Sequence, residues 1–346
     1  FIRRRIPKRF IVTILGFFGV LNMYAMRVNL SVAIVSMVNT SAQVLENKNY
    51  SLTECPAGKF LNIYAEQSEF KAERYNWDYV TQSQIMSAFF YLYFLSLVFG
   101  GYIAEKIGAQ KVYGAGVFFT SFLTLLTPVI VRWGVTPFIV LRALEGLGEG
   151  ITFPAMTSVI SQWAPKMERS RITSIIYSGT GLGGALGMSL TGWLCSTNFL
   201  GGWPSVFYAF GTFGCLWVVF WCILVYESPF KHPYITEREL SLYKDNTKPS
   251  TQKPKVPWFA IFTSIPFWVL LSAYCGYFFA DTILYVEMPT YLSRVLHIDV
   301  HMVGLLMSIP CIVLSLGSWV GPIFADKLRK SGKLSITSIR KIFNSI

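Results

Sequence analysis

Residues 137–160 read Pro137-Phe-Ile-Val-Leu-Arg142-Ala-Leu-Glu145-Gly-Leu-Gly-Glu149-Gly-Ile-Thr-Phe-Pro154-Ala-Met-Thr-Ser-Val-Ile160, an apolar run of membrane-spanning length with three charges in its middle. At about 100° per residue, steps of three and seven put Arg142, Glu145 and Glu149 on one face of a helix. A charge at mid-bilayer costs about 2.5–3.5 kcal/mol on insertion scales, whereas a Leu or Ile returns only about 0.3–0.6 kcal/mol. The charged face must therefore look inward at other helices and not at lipid.

The rest of the chain supplies those helices. Its composition, 53% hydrophobic against 14% charged, is too apolar for a soluble domain of 346 residues. Eight stretches have the length and polarity of a bilayer-crossing helix, at about 11–38, 83–104, 112–131, 137–160, 172–195, 205–226, 266–290 and 302–325. The first is too long for a signal-peptide core and lacks a small-residue cleavage site after it, so it is expected to stay. The chain opens on Phe1, and an upstream start is expected.

The formal charge of +12 raises the question of nucleic acid, but its distribution argues against that partner. Basic residues gather at Arg3, Arg4, Arg5, Lys8 and Arg9, at Lys166, Arg169 and Arg171, and at Lys327, Arg329, Lys330 and Lys333. All fall on one side of an eight-helix count, which by the positive-inside rule makes the N-terminus cytoplasmic. The first long connection, 39–82, then lies outside the cell or in an organelle lumen. It holds the sequons at Asn39 and Asn49, both glycosylation candidates. Plasma membrane and lysosomal or vesicular membrane remain equally open. Cys215, Cys222, Cys275 and Cys311 read as buried, inert small hydrophobes, and Cys55 and Cys195 as residues that could meet on the oxidising side.

A polar, proline-rich stretch, 227–257, separates six helices from two. The expected organisation is a six-helix bundle over 1–226, a cytoplasmic linker over 227–257 and an incomplete second bundle over 258–346. Gly100-Gly101-Tyr-Ile-Ala-Glu105-Lys106 ends the second helix and Gly321-Pro-Ile-Phe-Ala-Asp326-Lys327 ends the eighth, as a parallel repeat would arrange them. Gly101, Glu105, Lys106, Gly108 and Lys111 resemble the signature of the major facilitator superfamily between its second and third helices. The resemblance implies an all-α, multi-pass fold of twelve helices, of which about eight are present here and the second half is truncated. It also implies that Gly101, Glu105, Lys106 and Lys111, with Asp326 in the repeat, latch one transport conformation.

Arg27 lies inside the first helix, in Asn22-Met-Tyr-Ala-Met-Arg27-Val-Asn29-Leu-Ser31. A guanidinium offers five fixed donors suited to carboxylate or phosphate and stays charged when buried. Arg142 can pair with Glu145 one turn on, leaving Glu149 less compensated, and a carboxyl stripped of water holds a proton more readily. The economical hypothesis is that Arg27 and Arg142 hold an anion while Glu149, helped by Glu145, carries the coupling ion. The bland reading is that the four charges only neutralise one another.

These motifs, with Trp163-Ala-Pro165-Lys-Met-Glu168-Arg169-Ser, also resemble solute carrier family 17, the anion/cation symporters, from about Arg3 to Ser335. The resemblance implies substrate binding by Arg27 and Arg142 and proton coupling by Glu149. The family's glutamate carriers place a histidine in helix two and an arginine in helix seven. Met86 and Tyr277 stand there, which disfavours glutamate loading; Thr157 stands where sialin-like members have a histidine. Asn29 and Tyr277 join the expected substrate contacts, and Asp281 is a candidate cation or proton site. The expected function is secondary active transport of a small organic or inorganic anion by alternating access, coupled to H+ or Na+. The alternative is a truncated, non-transporting membrane protein that assembles with a full-length carrier. No cofactor, metal site or enzymatic activity is expected.

Overall fold

The computed structural model describes residues 7–39, 73–165, 168–197, 199–246 and 258–330, with 335, 338 and 341. Eight long helices run through the described residues: α1 (Lys8–Met37), α2 (Tyr79–Ile107), α3 (Ala109–Ile130), α4 (Val135–Trp163), α5 (Arg169–Ser196), α6 (Pro204–Leu224), α7 (Ile265–Arg294) and α8 (Val300–Lys330). All but α4 and α5 are long and apolar enough, by length and composition, to cross a membrane. The shortfall has a local cause in each: α4 carries the three charges, and α5 is rich in glycine and small polar residues. Large apolar side chains that the fold leaves exposed, among them Phe94 on α2, Ile223 on α6 and Phe279 on α7, face outward. Lipid tails are the natural solvent for such faces. Cys222 and Cys275 share that exposure, which corrects the expectation that they are buried.

Helix α2 lies along α4, α1 along α5, and α3 against α4 and α6. Helix α5 is a wedge between α1 and α8. One of its glycine rows, at Gly179, Gly183 and Gly187, meets the α1 backbone so closely that a Cβ on Gly187 would sit 2.8 Å from the Ala25 Cα. Gly181 and Gly184 turn instead to Ser315 and Cys311 of α8. Small residues allow such backbone approach, and dispersion between close helices then replaces the hydrophobic effect that lipid cannot supply.

Helix α7 is continuous in direction but not in winding. It is α-helical over Ile265–Thr282 and π-wound over Ile283–Glu287 before the α-turns of Met288–Arg294. Pro289 has no N–H for the Tyr285 carbonyl and its ring crowds that group, so the turn before it widens. Only the far end of α7 docks on the rest of the protein: Tyr285, Pro289 and Thr290 are buried, whereas Ile265–Thr282 has no buried residue. There Tyr79 of α2 donates to Glu287 at 3.2 Å, and Arg294 donates to Gln82.

The short turn between α2 and α3 is built on Gly108, whose φ of 114° suits a residue without Cβ. Its N–H closes α2 on the Ala104 carbonyl, and its carbonyl accepts from Val112 at the start of α3. The first stretch of the expected linker is folded onto the bundle. Glu239, in the short helix Glu237–Leu240, accepts from the backbone N–H of Lys8 (3.0 Å) and Arg9 (2.9 Å), which caps α1. Tyr243 donates to the Trp163 carbonyl, and Trp163 Nε1 to the Tyr226 carbonyl. Residues 247–257 lie outside the described residues.

Candidate functional site

Two buried ion pairs meet where α1, α2 and α4 converge. Arg142 Nη1 bonds Glu145 Oε2 at 2.5 Å within α4, and the other Glu145 oxygen accepts from Thr124 and Thr127 of α3, each at 3.3 Å. Arg27 Nη1 lies 3.6 Å from Glu149 Oε1 and donates to the Tyr93 hydroxyl at 3.3 Å. Neither Glu149 oxygen has a hydrogen-bond partner, although the residue is completely buried. Arg142 and Glu145 pair within α4, whereas Glu149, the carboxylate expected to be less compensated, faces Arg27 across to α1.

Aromatic rings pack on the two guanidinium groups. Phe89 of α2 meets both, 5.5 Å from Arg27 and 5.3 Å from Arg142, while Phe90, Tyr93 and Tyr24 also face Arg27. Desolvated cation–π contacts are worth up to about 2 kcal/mol each, so the rings offset some of the like-charge repulsion. Gly146 makes this packing feasible, since a Cβ there would overlap the Phe89 carbonyl oxygen. The α2 side chains come from Phe89-Phe90-x-x-Tyr93, whose spacing brings Phe89 and Tyr93 one turn apart. Charge marks α1 and α4, and this spacing is the signal in α2 that reading by charge passes over.

A cavity of about 40 Å³ opens on this arrangement. Arg27 and Arg142 both line it, together with Phe89 and Phe90 of α2 and Asp281 and Tyr285 of α7. That volume takes water but no organic anion, so substrate entry requires side chains or α7 to move. Donors of Arg27 beyond the one given to Tyr93 remain for a ligand.

The expected site residues divide accordingly. Arg27, Arg142 and Asp281 come together at the cavity, while Glu145 and Glu149 lie behind the two arginines. Asn29 is fully buried without hydrogen bonds from its amide and does not line the cavity. Tyr277 is 53% exposed on the undocked stretch of α7. Neither lines the cavity: α1 turns Asn29 away from it, and Tyr277 lies one turn of α7 before Asp281. Of the expected latch, Gly101 packs on Pro154 of α4, Glu105, Lys106 and Lys111 are exposed at the α2–α3 turn, and the Asp326 side chain lies outside the described residues. Asn39 lies two residues beyond the end of α1 and its N–H donates to the Tyr75 carbonyl, whereas Asn49 and Cys55 are outside the described residues. Among the described residues no group of three or more His, Cys, Asp or Glu is placed to hold a metal.

Helices of this length, apolar outside and charged within, define an integral, multi-pass membrane protein. A family model described as Major Facilitator Superfamily matches residues 13–340. The chain is 40% identical over 345 residues to sialin of Homo sapiens, covering 98% of this chain and 67% of that one. It is 35% identical over 345 residues to vesicular glutamate transporter 2 of Homo sapiens, covering 98% and 56%. Among solved structures, an inward-facing, unoccupied bacterial homologue of the human lysosomal transporter Spinster superposes with a TM-score of 0.64 at 17% identity, covering 93% and 64%. The chain belongs to the Major Facilitator Superfamily and, within it, to solute carrier family 17. It spans about two thirds of the length of sialin and less of the glutamate transporter.

Proposed function

We propose that the protein is a secondary active transporter that carries a small organic or inorganic anion by alternating access. The observation that supports this most directly is the shared cavity of Arg27 and Arg142, two guanidinium groups that both pack on the Phe89 ring. An anion bridging them replaces the water each arginine gave up on burial, and Arg forks match carboxylate and phosphate geometry. Sialin and vesicular glutamate transporter 2 are relatives whose names point to carboxylate-bearing solutes, which agrees with that chemistry.

Glu149 is the coupling residue in this reading, for H+ in preference to Na+. A buried carboxylate that touches one arginine loosely and bonds nothing can exchange a proton with little rearrangement. Glu145, held by Arg142 and two threonines, serves as a fixed countercharge, and Asp281 as a second carboxylate that moves with α7. The N-terminus faces the cytoplasm. The α2–α7 bridges then close the extracytoplasmic side, and the undocked half of α7 lies toward the cytoplasm.

Reconstitution of the complete gene product in liposomes tests this reading. Uptake of labelled inorganic phosphate, sialate or glutamate under an imposed pH gradient is expected, and its loss in Arg27→Ala. Uptake of all three that is absent, or indifferent to Arg27→Ala, would contradict it.

A further inference from the structure

Glu149 is fully buried and does not line the cavity of the two arginines, so a proton bound there needs another way out. Along α4 toward Trp163, a separate cavity of about 10 Å³ is lined by Val20, Met23, Tyr113, Thr152, Phe153 and Met156. It is close to the size of one water molecule. Into this region projects the hydroxyl of Tyr113, a residue 1% exposed whose oxygen has no hydrogen-bond partner. Its position is fixed from both ends. Gly19 of α1 leaves room for it, since a Cβ there would lie 2.6 Å from the oxygen. The ring is set against Trp217 and Trp221 of α6, at centroid distances of 5.8 and 5.0 Å. Both indoles are themselves tied down, to the Leu15 and Gln110 carbonyls.

A phenol hydroxyl buried without a partner costs about 1–3 kcal/mol, and an apolar Phe would avoid that cost. The position therefore suits a group that is hydrogen-bonded through water. Beyond the cavity, Phe153 stacks on Tyr177 of α5 at 6.1 Å, and the Tyr177 hydroxyl shares a 2.8 Å hydrogen bond with Thr157, which is exposed. The carboxylate, the orphaned phenol and the exposed hydroxyl pair thus follow one another toward the end of the bundle at which α1 begins.

We propose that Tyr113 relays the coupling proton between Glu149 and the face of the bundle at which α1 begins, by a route separate from the anion cavity. The proposal rests on Glu149 being the coupling carboxylate. Glu149 does not itself line the small cavity, but Thr152, which bonds the Glu149 carbonyl, does, and protonated Glu149 gives its proton through water to that cavity. That water protonates the Tyr113 oxygen as the phenol gives its own O–H proton to a second water on the side of Tyr177 and Thr157, which carries it to the exposed face. The phenol is regenerated, and the carboxylate is left beside Arg27. Glu149 is faced by Arg27 of α1, Tyr93 of α2, Tyr113 of α3, and Arg142 and Glu145 of α4. Tyr113 is faced by Glu149 of α4 and Tyr177 of α5, and α6 presents only indoles to it.

The test compares wild type, Tyr113→Phe and Glu149→Gln in proteoliposomes of the complete gene product, with labelled inorganic phosphate, sialate and glutamate as probes. Counterflow without a gradient is read beside uptake driven by a pH gradient. Tyr113→Phe is expected to keep counterflow and to lower gradient-driven uptake by about tenfold or more, since positioned proton-transfer groups are worth about 10²–10⁴-fold. Wild-type behaviour of Tyr113→Phe in both assays, with Glu149→Gln losing the gradient response, would overturn the relay and leave the role of Glu149 intact. Equal loss of both activities in Tyr113→Phe would mark it as structural and overturn the relay too. Gradient-driven uptake that survives in Glu149→Gln would overturn the reading beneath it.

Discussion

The Arg27 guanidinium stands 3.6 Å from the Glu149 carboxylate, joining α1 to α4 by charge without a hydrogen bond. Nearby, Arg142 and Glu145 make a 2.5 Å bond inside one helix, reinforced by two threonines of α3. The two pairs have the same charges and near-equal burial but different cohesion. A pair that is not locked by hydrogen bonds can be opened by a proton or an anion at small cost; a locked pair holds its helix together.

That difference predicts unequal costs of neutralisation. Glu145→Gln leaves Arg142 buried without a countercharge and is expected to destabilise the protein by about 3–5 kcal/mol. Glu149→Gln removes no hydrogen bond and is expected to cost less. Thermal unfolding of the purified variants, followed by intrinsic fluorescence, measures both. A larger loss at Glu149 would contradict the assignment of roles.

Gly146→Ala should be among the most damaging single-methyl additions in the chain. The new Cβ would overlap the Phe89 carbonyl, which belongs to backbone and cannot rotate aside. Displacing α2 breaks the contacts of Phe89 with Arg27 and Arg142, so a loss of at least about 1–3 kcal/mol is expected, as for overpacking generally. Gly276→Ala, where an added Cβ meets nothing within 4 Å, is the control, and recovery of monodisperse protein in detergent compares them.

The contacts between α2 and α7 make a prediction about motion. Arg294 bonds Gln82 and Tyr79 bonds Glu287, so cysteines at 82 and 294 should be joined by a short bifunctional thiol reagent in a background lacking exposed Cys222 and Cys275. Cross-linked protein is expected to lose transport and to regain it when a cleavable linker is reduced. Full activity of the linked protein would show that these helix ends need not separate.

Acid should loosen the segment folded over the start of α1. Burial, and next the Lys8 cation, hold the His232 imidazole below its ordinary value, and its Nδ1 accepts from the Tyr234 N–H. The undocked segment takes up a proton first, near the ordinary value of about 6.5, so this contribution is present above that pH and is lost as pH falls. Tryptic cleavage after Arg238 is expected to accelerate between about pH 7 and pH 5 in wild type and to change less in His232→Phe.

Much of this was legible in the sequence, because burying a charge in lipid is costly enough to declare which helix faces turn inward. Arg142, Glu145 and Glu149 fixed the inner face of α4 in that way, and the eight helix positions followed from length and polarity. The partners of the charges were not legible. That Glu149 would meet Arg27, and that Phe89 would meet both Arg27 and Arg142, depends on how α1 and α2 dock, which glycines such as Gly146 decide through backbone approach. Asn29 and Tyr277 show what reading by adjacency and resemblance leaves open: each neighbours a site residue along the chain, yet neither lines the cavity, Asn29 because helical rotation turns it away. The π-turn before Pro289 is legible in hindsight from the missing N–H, and it delivers Glu287 to Tyr79.

Equilibrium binding of a labelled anion to the purified, complete gene product, compared between wild type and Arg27→Lys, tests the central claim most directly. Lysine keeps the charge but loses the planar fork, so affinity is expected to fall by about tenfold, or about 1.4 kcal/mol, while thermal stability changes little. Undiminished binding by Arg27→Lys and by Arg27→Ala alike would contradict an anion held between the two arginines.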